Sequence, residues 1–255
     1  MTDKPKHSYK QLQPSAGLST YIDSYWESVN HTNLPLKSTI IPDSFFKLVV
    51  TVIDNKISVV FLTGLSLKQT EIVIPARATI YGIKFKILAP EYILEREIAS
   101  LLQSQSMLDP GFWGISDFDI SSLEAYVLQI EKMMSEILTQ GKQVKNKKLQ
   151  LTKLLYEASG NISAGEVATQ TGWGLQQISR YLNKYLGISL RTYLNIQKIY
   201  AAYIPIREGT FSPREGFHDQ SHLIKQIRKH TGQTPSSLFG GKNDRFIQLK
   251  NIKKK

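Results

Sequence analysis

Apolar and polar positions along this chain change their period once. Over the first 120 residues the period is two. Phe46, Leu48, Val50 and Val52 alternate with Lys47, Val49 and Thr51, which predicts a strand over residues 39–53. Residues 56–62 and Thr70–Ile74 predict two more, the second stopped by Pro75. Residues 78–88 predict a fourth, with Ile80, Gly82 and Lys84 set against Tyr81, Ile83 and Phe85. Asp54-Asn55 reads as the turn of a hairpin. Short alternating strands of this kind hide their edges in a small β-barrel or sandwich.

Beyond that stretch the period becomes helical. Pro90 suits the first turn of a helix over residues 92–104, which Asp109-Pro110-Gly111 breaks. A second helix starts at Ser121 or Ser122. Its apolar positions Leu123, Val127, Ile130, Met134 and Ile137 follow a heptad spacing for about two heptads. Two readings stay open: an amphipathic helix packed on the β half, or a dimerisation helix. Gly141 ends it, and residues 142–148, rich in lysine, read as an exposed basic hinge. Leu151, Leu154 and Leu155 then mark a short amphipathic helix over residues 149–158.

Residues 163–238 carry an internal repeat. Ile178 and Leu223, Arg180 and Lys225, Leu182 and Ile227, Gly187 and Gly232, Ser189 and Thr234, and Tyr193 and Leu238 all lie 45 positions apart. In the first copy Ser163 and Glu166 form a capping box that starts a helix, and Gly172 suits its left-handed end. A helix over Leu175–Leu186 follows, with Leu175, Ile178, Leu182 and Tyr185 inward. Gln176, Gln177, Ser179, Arg180, Asn183 and Lys184 face outward. In the second copy Asp219 caps a helix over residues 220–230. Leu223 and Ile227 face inward, and Gln220, Ser221, His222, Ile224, Lys225, Arg228 and Lys229 outward. Each outer face suits a major groove. Gln pairs with adenine N6/N7, Arg with guanine O6/N7, and Ser with either, while Lys near the helix end meets phosphate.

Composition sharpens this. The net charge is +11, and residues 1–120 hold 11 Lys+Arg against 12 Asp+Glu. The whole basic excess therefore lies in the half that carries the repeat, as a polyanion partner requires. The chain has no cysteine, which excludes disulfides, thiolate metal sites and a cysteine nucleophile. No apolar run approaches 18 residues and no secretory signal precedes the β half, so no membrane contact is expected and the location is read as cytoplasmic.

The chemistry of an enzyme is missing. The β half offers only His7 and His31 toward a metal, and no GxSxG, HExxH or phosphate-cradling loop occurs. His218 and His222 have the i, i+4 spacing of zinc ligands but lack a third. No catalytic residue, metal or cofactor is assigned. Tyr25, Trp26, Phe45, Phe46 and Tyr81 read either as core or as the lining of a pocket for a small-molecule effector.

The pattern Ala168, Gly172, Ile178-Ser179-Arg180, Gly187, Ser189, Tyr193, Ala202, Gly216-Phe217, Asp219-Gln220-Ser221-His222, Gly232 and Thr234-Pro235 resembles the AraC-type (AraC/XylS) double helix-turn-helix. Ile41-Pro42-Asp43 and Gly82-Ile83-Lys84-Phe85 resemble the cupin-like sensor region of such regulators more weakly. The resemblance implies an α+β two-domain protein. A β-rich, cupin-like regulatory domain with helices would span residues 1–120, and an amphipathic helix and basic linker residues 121–148. An all-α double helix-turn-helix would span residues 149–240, and a basic tail residues 241–255. It implies a transcriptional regulator that binds double-stranded DNA, the base-facing residues being Gln176, Ser179 and Arg180, then Gln220, Ser221, His222, Ile224 and Lys225. The alternative is a non-specific or architectural nucleic-acid-binding protein. A homodimer stays open. Two departures stand out. Pro205 predicts that the joining helix, residues 189–206, ends or kinks near Ile204. The short stretch from 207 to 215 predicts a supporting helix of one turn at Ser212-Pro213-Arg214-Glu215.

Overall fold

A computed structural model describes residues 5–212, 217 and 219–240. The chain is α+β, with a β-rich front unit followed by an all-α rear unit. Eight strands form the front: β1 (His7–Leu12), β2 (Ile22–Asn30), β3 (Leu36–Ile40), β4 (Phe46–Ile53), β5 (Lys56–Thr63), β6 (Thr70–Ile74), β7 (Thr79–Phe85) and β8 (Gln105–Leu108). Six make an antiparallel sheet in the order β1-β2-β7-β4-β5-β8, and β3 pairs with β6 in a separate ladder.

The strand predicted over residues 39–53 is divided between β3 and β4. Pro42 has no N–H to give a ladder, and the Asp43 carboxylate accepts from the Phe45 amide at 3.2 Å, which turns the chain between them. The hairpin at Asp54-Asn55 is present. Both residues are left-handed (φ 50° and 55°), as the tight turn between paired Ile53 and Lys56 requires.

Alternation along β4 sends its residues to two different cores. Phe46, Leu48, Val50 and Val52 lie under helix α2 (Leu123–Gln140), together with Tyr25, Tyr81 and Tyr126. The Tyr81 and Tyr126 rings stack at 5.0 Å. Ser122 caps α2 by accepting from the Ala125 amide. Of the heptad positions, Leu123, Val127, Ile130 and Met134 are buried and Ile137 is half-buried, so most of this seam is used inside the chain. Tyr25, Phe46 and Tyr81 are likewise core rather than pocket lining. On the opposite face Val49 and Ile80 meet Ile74 of the small ladder, packed by Trp26, Leu36, Phe61 and Ile72. The two sheets thus face each other as a sandwich.

The helix predicted over residues 92–104 does not form. Helix α1 is one turn, Ala89–Tyr92, because Glu95 takes a left-handed φ of 50° that stops it; a 3-10 turn follows at Ala99–Leu101.

The rear unit contains α3 (Asn146–Ala158), α4 (Ala164–Thr171), α5 (Leu175–Leu186), α6 (Leu190–Arg207), α7 (Gln220–Thr231) and α8 (Pro235–Gly240). Helix α6 is buried on nearly every side, through Tyr193, Leu194, Ile196, Ile199, Tyr203 and Ile206. It runs past Pro205 to Arg207 rather than ending near Ile204. A proline removes one N–H, whereas the Glu208 amide still reaches the Ile204 carbonyl, and Pro205 and Ile206 are held in the core. Residues 213–215 of the expected supporting turn, His218 and the basic tail at 241–255 lie outside the described residues.

Candidate nucleic-acid interface

The first helix-turn-helix is built by local capping. The Ser163 hydroxyl accepts from the Glu166 amide at 3.2 Å, and the Glu166 carboxylate accepts from the Ser163 amide at 2.8 Å. Gly172 ends α4 at φ 57°, and Gly174 starts α5. Ile178, Tyr181, Leu182 and Leu186 bury one side of α5. Gln176, Gln177, Arg180, Asn183 and Lys184 are exposed on the other, and Ser179 is half-buried between them. Leu175, expected inward, is 43% exposed because it occupies the first position of α5 beside the turn; Tyr181 takes the inner place instead.

The second copy repeats this geometry. Helices α5 and α7 each have 12 residues, and their first residues are 45 positions apart. So are the first residues of α6 and α8. Gly187 and Gly232 close the two readers in the same left-handed conformation, at φ 76° and 69°. The Asp219 carboxylate accepts from the His222 amide at 2.7 Å and starts α7. Gln220, Ser221, Ile224, Lys225, Arg228 and Lys229 are exposed, and all but Gln220 line one shallow depression. His222 is half-buried and turns toward Phe217, with ring centroids 5.8 Å apart. Its ring is therefore less available to a groove than its helical position suggested.

Helices α5 and α7 are both anchored on the front unit, which sequence reasoning missed. At the end of α5 the Ile98 amide donates to the Tyr185 carbonyl at 2.9 Å. At the end of α7 the Gln69 amide donates to the His230 carbonyl at 3.1 Å. Tyr185 and His230 are themselves 45 positions apart. A Cβ on Gly187 would stand 2.9 Å from the Ala99 carbonyl oxygen, so the front unit touches backbone there. Lys184 lies 3.6 Å from Glu97 of the front unit, an exposed pair that turns it partly away from the other outward side chains of α5.

A second anchor centres on Glu91 of α1. Lys148 of α3 meets its carboxylate at 2.5 Å and Lys142 at 3.2 Å. Burial pushes the Glu91 carboxyl up, but the two lysines outweigh burial and hold it below the usual carboxylate range. The Lys148 ammonium also lies 4.8 Å from the ring centre of Tyr181, on the inner side of the first reader. Lys148 belongs to the first turn of α3, so the basic run at 142–148 is partly helix and partly contact. No spacing rule in the sequence links residue 91 to residue 148.

Among the described residues no group of three His, Cys, Asp or Glu side chains could hold a metal ion, and no helix is long and apolar enough to cross a membrane.

A family model described as a domain of unknown function (DUF6597) matches residues 10–106, within the front unit. No curated protein matches the chain. Solved structures of ToxT from Vibrio cholerae are similar over most of both chains. One crystal form is 13% identical, covering 91% of this chain and 97% of that one, with a TM-score of 0.41. ToxT from strain O395 bound to (E)-4-(8-methylnaphthalen-1-yl)but-3-enoic acid is 14% identical, with the same coverage and a TM-score of 0.42. Unsaturated fatty acid bound ToxT is 11% identical, covering 84% of this chain and 95% of that one, with a TM-score of 0.42. The architecture is a β-rich front unit, then a helical unit in which a 12-residue helix recurs 45 positions on.

Proposed function

We propose that the chain is a sequence-specific DNA-binding transcriptional regulator of AraC type, acting in the cytoplasm and without catalytic chemistry of its own. The observation that carries this is the repeat of an exposed polar helix face at a fixed offset, on α5 and α7, in the half that holds the basic excess. Residues 149–240 would bind double-stranded DNA, and residues 1–120 would regulate that binding, with residues 121–148 connecting them. Gln176, Ser179 and Arg180 would read bases in one major groove. Gln220, Ser221, Ile224 and Lys225 would read the next, with His222 at the margin. Gln177, Asn183, Lys184, Arg228 and Lys229 would hold phosphates.

The test is retention of sheared genomic DNA from the protein's own source by the purified full chain at physiological salt. A regulator retains a small number of discrete fragments. An architectural protein, the alternative reading, retains fragments in proportion to their length, and that result would remove the proposal.

A further inference from the structure

A cavity of about 200 Å³ lies inside the helical unit, where α3, α6 and α7 meet, and none of its lining residues belongs to the front unit. Helix α6 supplies most of its wall. Lys198, Ala201, Ala202, Pro205 and Ile206 follow the i, i+3, i+4, i+7, i+8 spacing of one helical face. The two alanines on that face leave room that larger side chains would fill. Leu223 of α7 and Phe217 close the opposite wall, and Ser159, just after α3, stands at the rim.

The floor is apolar. Ala202, Pro205, Ile206 and Leu223 are buried and carry no polar side-chain atom, so the space suits an organic body better than water. A cavity of roughly 150 Å³ already takes a benzene ring. Lys198 is the one charged residue in the lining, and among the described residues no carboxylate faces the cavity. The lysine is half-buried, and its ammonium lies 4.8 Å from the ring centre of Phe217. Burial pushes its pKa below the ordinary lysine value, and no neighbouring charge offsets this. The face of a ring is a weaker partner for a half-buried ammonium than an anion that accepts its hydrogen bonds.

We infer that this cavity binds a small monocarboxylate with a compact aromatic or branched apolar body, its carboxylate on the Lys198 ammonium and its body against Pro205, Ile206 and Leu223. Phe217 shares Lys198 with the occupant and also meets His222 of α7, with ring centroids 5.8 Å apart. An occupant therefore bears on the start of α7, the second of the two helices proposed to enter a groove. That regulatory consequence rests on the proposed DNA reading. The binding itself does not, and it is measured without DNA, so either can fail alone.

The probe is benzoate, titrated into the full chain by calorimetry at neutral pH. One equivalent is expected to bind, and benzyl alcohol, a neutral analogue of similar size, should bind at least about ten-fold more weakly. Lys198→Met should weaken benzoate by about the same factor, and Lys198→Arg, which keeps the charge, by no more than about three-fold. Ala201→Leu fills the cavity from a half-buried position and should remove binding. On adding benzoate, hydrogen exchange should slow over Gln220–Thr231 and stay unchanged in the front unit. No binding to the parent, equal binding of benzyl alcohol, equal binding to Lys198→Met, undiminished binding to Ala201→Leu, or protection confined to the front unit would each overturn the site.

Discussion

Tyr185 and His230 occupy equivalent places in the two copies, and each gives its carbonyl to an amide of the front unit. His230 is buried there, and burial holds its pKa below the usual histidine value. Protonation is thus easier in the unfolded chain. The stability this neutral ring contributes is present above the ordinary histidine pKa of about 6.5 and fades as pH falls below it. The expected outcome is a melting temperature that drops between pH 7.5 and 5.5, with a smaller drop in His230→Leu; an equal drop in both would exclude His230 as the cause. Glu91 acts at the same scale on the first reader. Glu91→Gln removes the charge that Lys148 meets at 2.5 Å, and should lower stability by about 1–3 kcal/mol. Hydrogen exchange should rise over residues 175–187 more than over 220–231. A uniform rise across both readers would show that Glu91 does not act locally.

Among the elements, what the sequence made legible was what local chemistry decides. The capping box at Ser163 and Glu166, the ends of α5 at Leu175 and Leu186, and the 45-residue offset all stand as read, because caps, left-handed glycines and helical period are short-range signals. Strand β6 likewise matches its predicted bounds. The failures lie where a distant contact or a single backbone angle overrules the pattern. Strand β2 was missed because Ile22, Tyr25 and Val29 do not alternate cleanly across its irregular pairing near Ser24. Helix α6 passes Pro205 because burial outweighs one lost hydrogen bond. The anchor from Glu91 to Lys148 was invisible, since its partners are far apart in sequence and join only through the packing of α1, α3 and α5. At this scale the checkable consequence is Ser163→Ala, which frees the Glu166 amide at the start of α4 and should cost about 1 kcal/mol. Chemical denaturation measures it, and an unchanged midpoint would mean that α4 is held by packing alone.

As a whole, the molecule is a basic helical unit held at the ends of α5 and α7 by a near-neutral front unit. The net charge of +11 implies that DNA affinity falls steeply with salt, since each neutralised phosphate releases counter-ions. For six to ten phosphate contacts, affinity should drop by roughly 10³–10⁵ between 50 and 200 mM salt; a flat titration would argue against the basic face as the binding surface. Specificity is a separate matter from affinity, and under the proposed reading it would rest on Arg180 and its neighbours rather than on total charge. The most direct test is selection of bound sequences by the full chain from a random pool of duplex DNA, run in parallel with Arg180→Ala. The account predicts a motif with two parts, centred about one helical turn (roughly 10 base pairs) apart. Arg180→Ala should bind the selected site about 1–3 kcal/mol more weakly and lose preference at one guanine in one part only. A pool that enriches no motif, or a motif that Arg180→Ala leaves unchanged, would contradict it.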